Sequence, residues 1–440
     1  MIFWPALLVF SAFLSSLIPP FQSPDEPAHL ARAYLISTGT FLLRADKGQG
    51  SGGAIDSGLV EYAKPLIGNI SKHATGLPPS QPNPNLRWRP ASPGEFFSLG
   101  GTGYYLPLIY FPQATGLWLG RFLDLSIHQS YYLSRAITLG CCFALLWGAM
   151  RLFAPPPLAM ALLLMPMSVF QMLLPTIDGV SNALTLFIFA LFFSILRGHW
   201  EQRQGLASTW LAVCLVLLAG SRTHCLPLLA LPVYLAWREK SAQAWWRAGI
   251  ATLLTCGWVL FALATTNDTR IALDAPPSGL MRYYVSHPFN FVEVVWNTLS
   301  DPKITNFYLE SFIGNLGWLD TPLSPEEYLV LEAGLMLIAA VSLQSFKSRE
   351  DAQVRGLLFV LATASAALIF FAMLVTWTPY PAKLVQGVQG RYFLLPAVVF
   401  AHAWGTPADS AIPSRIQWVL AAFGACSVAI LFSTLLHRYH

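Results

Sequence analysis

Apolar runs of about 16 to 22 residues recur along this chain, the length a helix needs to cross a lipid bilayer. They are read at 2–20, 133–153, 157–175, 180–197, 208–221, 223–237, 248–266, 327–345, 356–377, 391–406 and 415–436. Composition agrees, with 55% hydrophobic and 11% charged residues among 440. Soluble domains carry roughly 25% charged residues, so the ordinary globular reading is excluded. The expectation is an all-α integral membrane protein, a single polytopic domain over 1–440 with about eleven transmembrane helices. The first run lacks a basic leader and is read as a retained helix. A net charge of +4 gives no reason to expect a nucleic-acid partner. The cysteines, Cys141, Cys142, Cys214, Cys225, Cys256 and Cys426, form no C-x-x-C pair and read as small packing residues.

The distribution of positive charge orients the helices. With the N-terminus in the cytoplasm, the cytoplasmic connections carry Arg151, Arg197, Arg203, Arg238, Lys240, Arg247, Lys347, Arg349 and Arg355. The two long loops, 21–132 and 267–326, then fall outside. Residues 104–123 are apolar, but Pro107 and Pro112 break them and Arg121 and Asp124 trail them. A helix lying in the interface suits this segment, because a crossing there would invert every later loop. Gly220 to His224 interrupt the stretch 208–237, which reads as two short helices meeting near the outer surface.

The residues able to do chemistry gather on that outer side. Asp25 and Glu26 follow the first helix directly, and on a helix Asp25, His29 and Arg32 would share a face. Ser23, Pro24 and Glu26 equally spell a capping box, with Ser23 as N-cap. Asp178 stands between two apolar runs, where it could cap a helix or serve a site. Arg222 and His224 mark an outer helix junction, and Lys383, Gln389, Arg391 and Tyr392 mark another. An arginine entering a membrane helix is costly and usually has a partner or a task. Snorkelling to headgroups is one explanation, and a phosphate gripped by planar guanidinium donors is the other. Asp25, Glu26, His29 and Asp178 could also hold a divalent cation such as Mg or Mn.

Several segments resemble a known family. They are Pro24-Asp25-Glu26 with His29 and Arg32-Ala33, Tyr104 to Pro107, Pro166-Met167 through Gln171 to Asp178, Ile313 to Thr321, and Gly387 to Pro396. Together they resemble the GT-C superfamily of polyprenol-dependent membrane glycosyltransferases and, within it, a bacterial predicted membrane protein family, DUF2142. Arg222 falls where many relatives have lysine. The resemblance implies a bacterial plasma-membrane protein with an extracytoplasmic active site. Asp25 would be the catalytic carboxylate, with Glu26 beside it and Asp178 as the second acidic point. His29, Arg32, Arg222, His224, Lys383, Gln389, Arg391 and Tyr392 would bind substrate. The expected partners are a polyprenyl-phosphate-linked sugar donor, an acceptor hydroxyl on an envelope glycan, lipid or protein, and membrane lipids. The expected reaction is inverting sugar transfer; a lipid-linked saccharide flippase is the alternative, and a scaffold subunit a third.

Overall fold

Prolines and capping residues decide where the helices of this protein begin. The structure is a computed structural model that describes residues 3–45, 49–67, 82–90, 94–200, 203–271, 276–343, 348–405 and 413–440. Ile2, Lys347 and the final residues of the expected helices 327–345 and 391–406 lie outside the described residues. The chain opens with α1 (Phe3–Ser16). The segment before the next long helix folds as α2 (Glu26–Ser37), β1 (Gly52–Ile55), α3 (Ser57–Ile67), β2 (Glu95–Ser98), α4 (Gly100–Gly103) and α5 (Phe111–Phe122). Strands β1 and β2 pair antiparallel, with Gly52 opposite Ser98 and Ile55 opposite Glu95.

The bundle continues with α6 (Ile127–Leu152), α7 (Pro157–Leu164), α8 (Pro166–Met172), α9 (Ile177–Leu196), α10 (Gln204–Ser221), α11 (Ala230–Glu239) and α12 (Ala242–Thr265). Next come α13 (Pro277–Ser286), α14 (Pro288–Leu299), α15 (Pro302–Ile313), α16 (Pro325–Ser342), α17 (Arg349–Thr376), α18 (Leu394–Trp404) and α19 (Ser414–Tyr439). Ser126 and Gln129 form a reciprocal capping box that starts α6 six residues before the apolar run does. Pro157 and Pro166 each sit in a first helical turn, so the run 157–175 is two helices broken at Met165. The expected outer loop 267–326 holds three helices, each opened by a proline.

Among the described residues, six helices are long and apolar enough to cross a membrane: α6, α9, α10, α12, α17 and α19. Helix α16 has the length but carries Glu326, Glu327 and Glu332. Helix α5 has 12 residues, about 18 Å, which is too short for a hydrocarbon core of about 30 Å. One of its faces exposes Phe111, Trp118 and Phe122. The opposite face sets Gly116 and Gly120 so close to α6 that a Cβ at Gly116 would meet the Ser134 backbone at 2.2 Å.

Helix α9 is the centre of the bundle. It is 89% buried across its apolar window, against 22–56% for the other five. Asp178 lies in its first turn and Arg197 caps its last. At the Arg197 end, Arg197 pairs with Asp351 at 3.5 Å and Arg238 pairs with Glu350. The opposite end, about 30 Å away along α9, is where the candidate site forms. A brace closes that end. Trp318 Nε1 donates to the Phe21 carbonyl at 2.8 Å, and Asp320 accepts from Trp318 N at 3.0 Å and from Arg438 at 2.9 Å.

Candidate active site

Four charged side chains from four distant stretches of sequence meet in an alternating chain. Arg391 follows a turn in which Gly387 has φ +75°, a conformation that suits glycine. Gly390 answers a different need. A Cβ there would meet the Tyr308 carbonyl oxygen at 1.8 Å, so only glycine lets the 390–393 turn lie against α15. Ser311 Oγ accepts from Gly390 N at 2.8 Å and fixes that contact. The turn swings the Arg391 guanidinium inward, where its side chain is only 4% exposed.

Arg391 Nη1 donates to Asp178 Oδ2 at 3.2 Å, Nη2 to Asp25 Oδ2 at 3.4 Å and Nε to Gln389 Oε1 at 2.6 Å. Arg222, at the end of α10, binds the other Asp178 oxygen and lies over the Tyr105 ring at 5.6 Å. Its Nε also donates to Ser181 Oγ at 3.4 Å. Arg391 lies over its neighbour Tyr392 at 5.4 Å. Asp178 therefore does not cap α9 with its own side chain; it ties two guanidinium groups together. A narrow cleft lies beside them, lined by Asp178, Asn182, Arg222, His224, Arg391 and Tyr392 among others. His224 Nε2 is buried there without a hydrogen-bond partner among the described residues.

Asp25 differs from the other three in exposure. Its side chain is 47% exposed, while Asp178 shows 12% and Arg391 4%. It does not lie on α2, as the i,i+4 reading expected. It is the residue before the helix, with φ +62°, and Phe21 four residues earlier has φ +63°. A bulky aromatic in that region is strained, so the surroundings must impose it. Trp318 holds the Phe21 carbonyl, and the Phe21 ring packs on Tyr62 and Tyr131. Half of the expected capping box is present. Glu26 Oε2 accepts from Ser23 N at 3.1 Å, but the Ser23 hydroxyl turns to the Pro24 carbonyl.

Glu26 points away from the cleft. It is fully buried, and Tyr131 donates to its Oε1 at 2.5 Å. Burial raises its pKa above the ordinary value, against the pull of Arg135 and the hydrogen bonds it accepts. Arg135 in turn donates to the carbonyls of Leu173 and Ile18, both at 2.8 Å. His29 faces the charged chain from α2. Its Nδ1 shares a hydrogen bond with Tyr110 Oη at 2.8 Å, and its ring stacks near Tyr105. Burial pulls its pKa down to about 4, against the raising effect of Asp178 and Asp25, so it is neutral at pH 7.

Two expected residues stand apart. Arg32 is buried on α2 and donates to the Phe41 carbonyl at 2.7 Å, away from the cleft. Lys383 is exposed and does not line it. The carboxylates and imidazole considered for a divalent ion do not converge either. Glu26 is committed to Tyr131, and Asp25 and Asp178 already accept from arginines. Among the described residues no three carboxylate, imidazole or thiol groups meet in a metal-binding arrangement. The sequence reading missed Tyr105, Tyr110 and Tyr131 as site-building residues, and Arg270. The last pairs with Asp268 at 2.7 Å, lies over Trp377 at 4.8 Å and is close enough to Asp25 for their charges to interact. A buried arginine within an apolar run, Arg135, was a readable sign of the Tyr131 network; nothing local distinguishes Arg270.

The fold and cleft define a polytopic helical membrane protein with a paired-arginine, paired-carboxylate cluster at one end of its bundle. The chain belongs to the predicted membrane protein family DUF2142, whose profile matches residues 7–401. Neither the curated proteins nor the solved structures searched contain a match.

Proposed function

We propose that this protein is an inverting glycosyltransferase of the bacterial plasma membrane, drawing on a polyprenyl-phosphate-linked sugar. The acceptor is a hydroxyl of an envelope glycan, lipid or protein, the chain crosses the bilayer about eleven times, and the cleft faces the extracytoplasmic side. The observation that carries this reading is the ion pair between a half-exposed Asp25 and the nearly buried Arg391, which Asp178 ties to Arg222 in the cleft wall. Asp25 is the group an acceptor hydroxyl can reach; a phosphate reaches Arg391 by replacing the Asp25 contact.

In the reaction, Asp25 accepts the proton of the acceptor hydroxyl as its oxygen bonds to the anomeric carbon. The bond from that carbon to the phosphate oxygen breaks on the opposite face, which inverts the configuration. The leaving lipid phosphate keeps the bonding electron pair, and Arg391 and Arg222 stabilise its charge. No general acid is required, because a phosphate leaves as a stable anion. The Arg391–Asp25 contact at 3.4 Å is the longest in the chain and the one a phosphate most readily replaces.

The flippase alternative has less support. The arginine deepest in a spanning helix, Arg135, donates to two backbone carbonyls and not to a pathway. Mass spectrometry of lipids co-purifying with the wild type tests the reading, together with sugar transfer by the wild type and Asp25→Asn. The expected result is a retained polyprenyl-phosphate sugar and at least about 100-fold slower transfer in the variant. Normal transfer by Asp25→Asn would remove Asp25 from the chemistry.

A further inference from the structure

Helix α14 divides its surface into three strips at about 100° per residue. Val294 and Thr298 are buried against the protein, with Phe291 beside them at 5.7 Å from the Phe371 ring. Asn290, Glu293 and Asn297 form a polar strip. Between these lies a third strip, Phe289, Val292, Trp296 and Leu299, spaced i, i+3, i+7 and i+10. These four side chains are 85%, 57%, 70% and 46% exposed. In water such a strip would be a large unpartnered apolar patch.

The depth of α14 says what covers it. Helices α13 and α14 share a core with α17, in which Leu280, Tyr284 and Val294 pack with Ile369, Phe370, Leu374 and Val375. Helix α17 has 28 residues, about 42 Å, against a hydrocarbon core of about 30 Å, so roughly four residues at each end emerge from it. Ile369 to Val375 thus straddle the membrane boundary at the cleft end of the bundle. A helix held at that level, with separate polar and apolar strips, meets the geometry of an interfacial helix. Its polar edge carries one charge, Glu293, and so offers a protein partner almost no ionic complementarity.

We infer that α14 rests in the membrane interface on the cleft side, with Phe289, Val292, Trp296 and Leu299 among the acyl chains of that leaflet. The helix also holds the segment that carries Arg391. Thr298 Oγ1 accepts from Val385 N at 2.8 Å, and the following helix α15 binds Gly390 through Ser311. The bilayer surface thereby sets the level of the Arg391 turn.

The test uses full-length protein with its six cysteines replaced, reconstituted in phosphatidylcholine–phosphatidylglycerol vesicles. Single nitroxide labels are placed at 289, 292, 293, 296, 297 and 299, all exposed positions. Oxygen should relax the labels at 289, 292, 296 and 299 several-fold more effectively than a water-soluble nickel chelate, with the order reversed at 293 and 297. Chelate access at every position would put α14 in water. Exclusion of both agents along the strip would mean a protein partner, such as a second copy. Either result overturns the inference. As a check on the unlabelled chain, brominated lipids should quench the emission that wild type has in excess of Trp296→Phe. Unquenched emission would likewise overturn it.

Discussion

Arg391 and Asp178 stand 213 positions apart in the sequence, yet Nη1 of one lies 3.2 Å from Oδ2 of the other. Asp178 also binds Arg222, so one carboxylate keeps two guanidinium groups from repelling each other beside the cleft. A phosphate arriving at the cleft would meet donors already oriented, which is the arrangement electrostatic stabilisation of a leaving anion requires.

Arg391→Lys tests whether shape or charge matters there. Lysine keeps the charge but cannot bridge Asp178, Asp25 and Gln389 from one planar group. Steady-state kinetics with donor and acceptor varied separately should show kcat and kcat/KM for the donor falling together, by about 10- to 100-fold, with acceptor affinity little changed. A lysine variant with wild-type kinetics would identify Arg391 as a snorkelling residue and remove it from phosphate binding.

Glu26 is expected to act through structure. Glu26→Gln keeps one acceptor oxygen and puts an NH2 donor at the other position, so it serves Tyr131 or Ser23 N but not both, whereas Glu26→Ala leaves the Tyr131 hydroxyl and Ser23 N both without their partner. The alanine variant should lose about 1–3 kcal/mol of stability, read as a lower unfolding temperature in detergent. Transfer by folded Glu26→Gln should remain within about tenfold of wild type. A loss as large as that of Asp25→Asn, in protein of normal stability, would return Glu26 to the chemistry.

His29 gives a pH dependence with a definite sign. Its pKa falls from an ordinary 6.5 to about 4 on folding. Between those values the unfolded chain binds the proton and the folded one does not, so stability rises with pH through that window and is complete above it. The contribution lost by pH 4 is up to about 3 kcal/mol. Glu26 has the opposite sign, since its raised pKa makes the folded state lose stability as pH climbs above the usual carboxylate value. Unfolding temperatures at pH 7 and pH 4.5 should therefore converge in His29→Gln relative to wild type. An unchanged difference would mean that the imidazole is already charged in the folded protein.

Trp318→Phe removes one donor and keeps most of the ring. The Phe21 carbonyl then loses its partner, and the left-handed turn from Phe21 to Asp25 loses a restraint. Stability should drop by about 1 kcal/mol, and amide exchange at residues 22–25 should accelerate. Unchanged exchange there would show that packing of the Phe21 ring alone holds the turn.

How much of this was legible beforehand differs between element and site. Helices stand at the expected apolar runs, and among the described residues six of them are long and apolar enough to cross a membrane, since a bilayer-compatible helix leaves an uninterrupted apolar stretch in the sequence. The breaks were readable in part. Gly220 to His224 marked a real interruption, now a 3-10 turn from Thr223 to Leu229, while the break at Pro166 passed unread inside a continuous apolar run. Helices α13 to α15 were hidden in an expected loop because amphipathic helices of 10–12 residues carry no spanning signal.

For the site, the sequence alone determined which charges a membrane protein can scarcely carry without purpose: Asp25, Asp178, Arg222 and Arg391 were marked by their positions at the ends of apolar runs. Their mutual distances belong to the tertiary structure, which brought those four together and left Arg32 and Lys383 aside. It also separated Asp25 from Glu26, adjacent in sequence and identical in charge. The backbone turns left-handed at Asp25 and enters α2 at the next residue, so one carboxylate meets Arg391 and the other the Tyr131 hydroxyl. That turn is imposed by Trp318 and Tyr131, about 300 and 105 residues away, and a local reading of residues 23–29 has no access to contacts made across such a span.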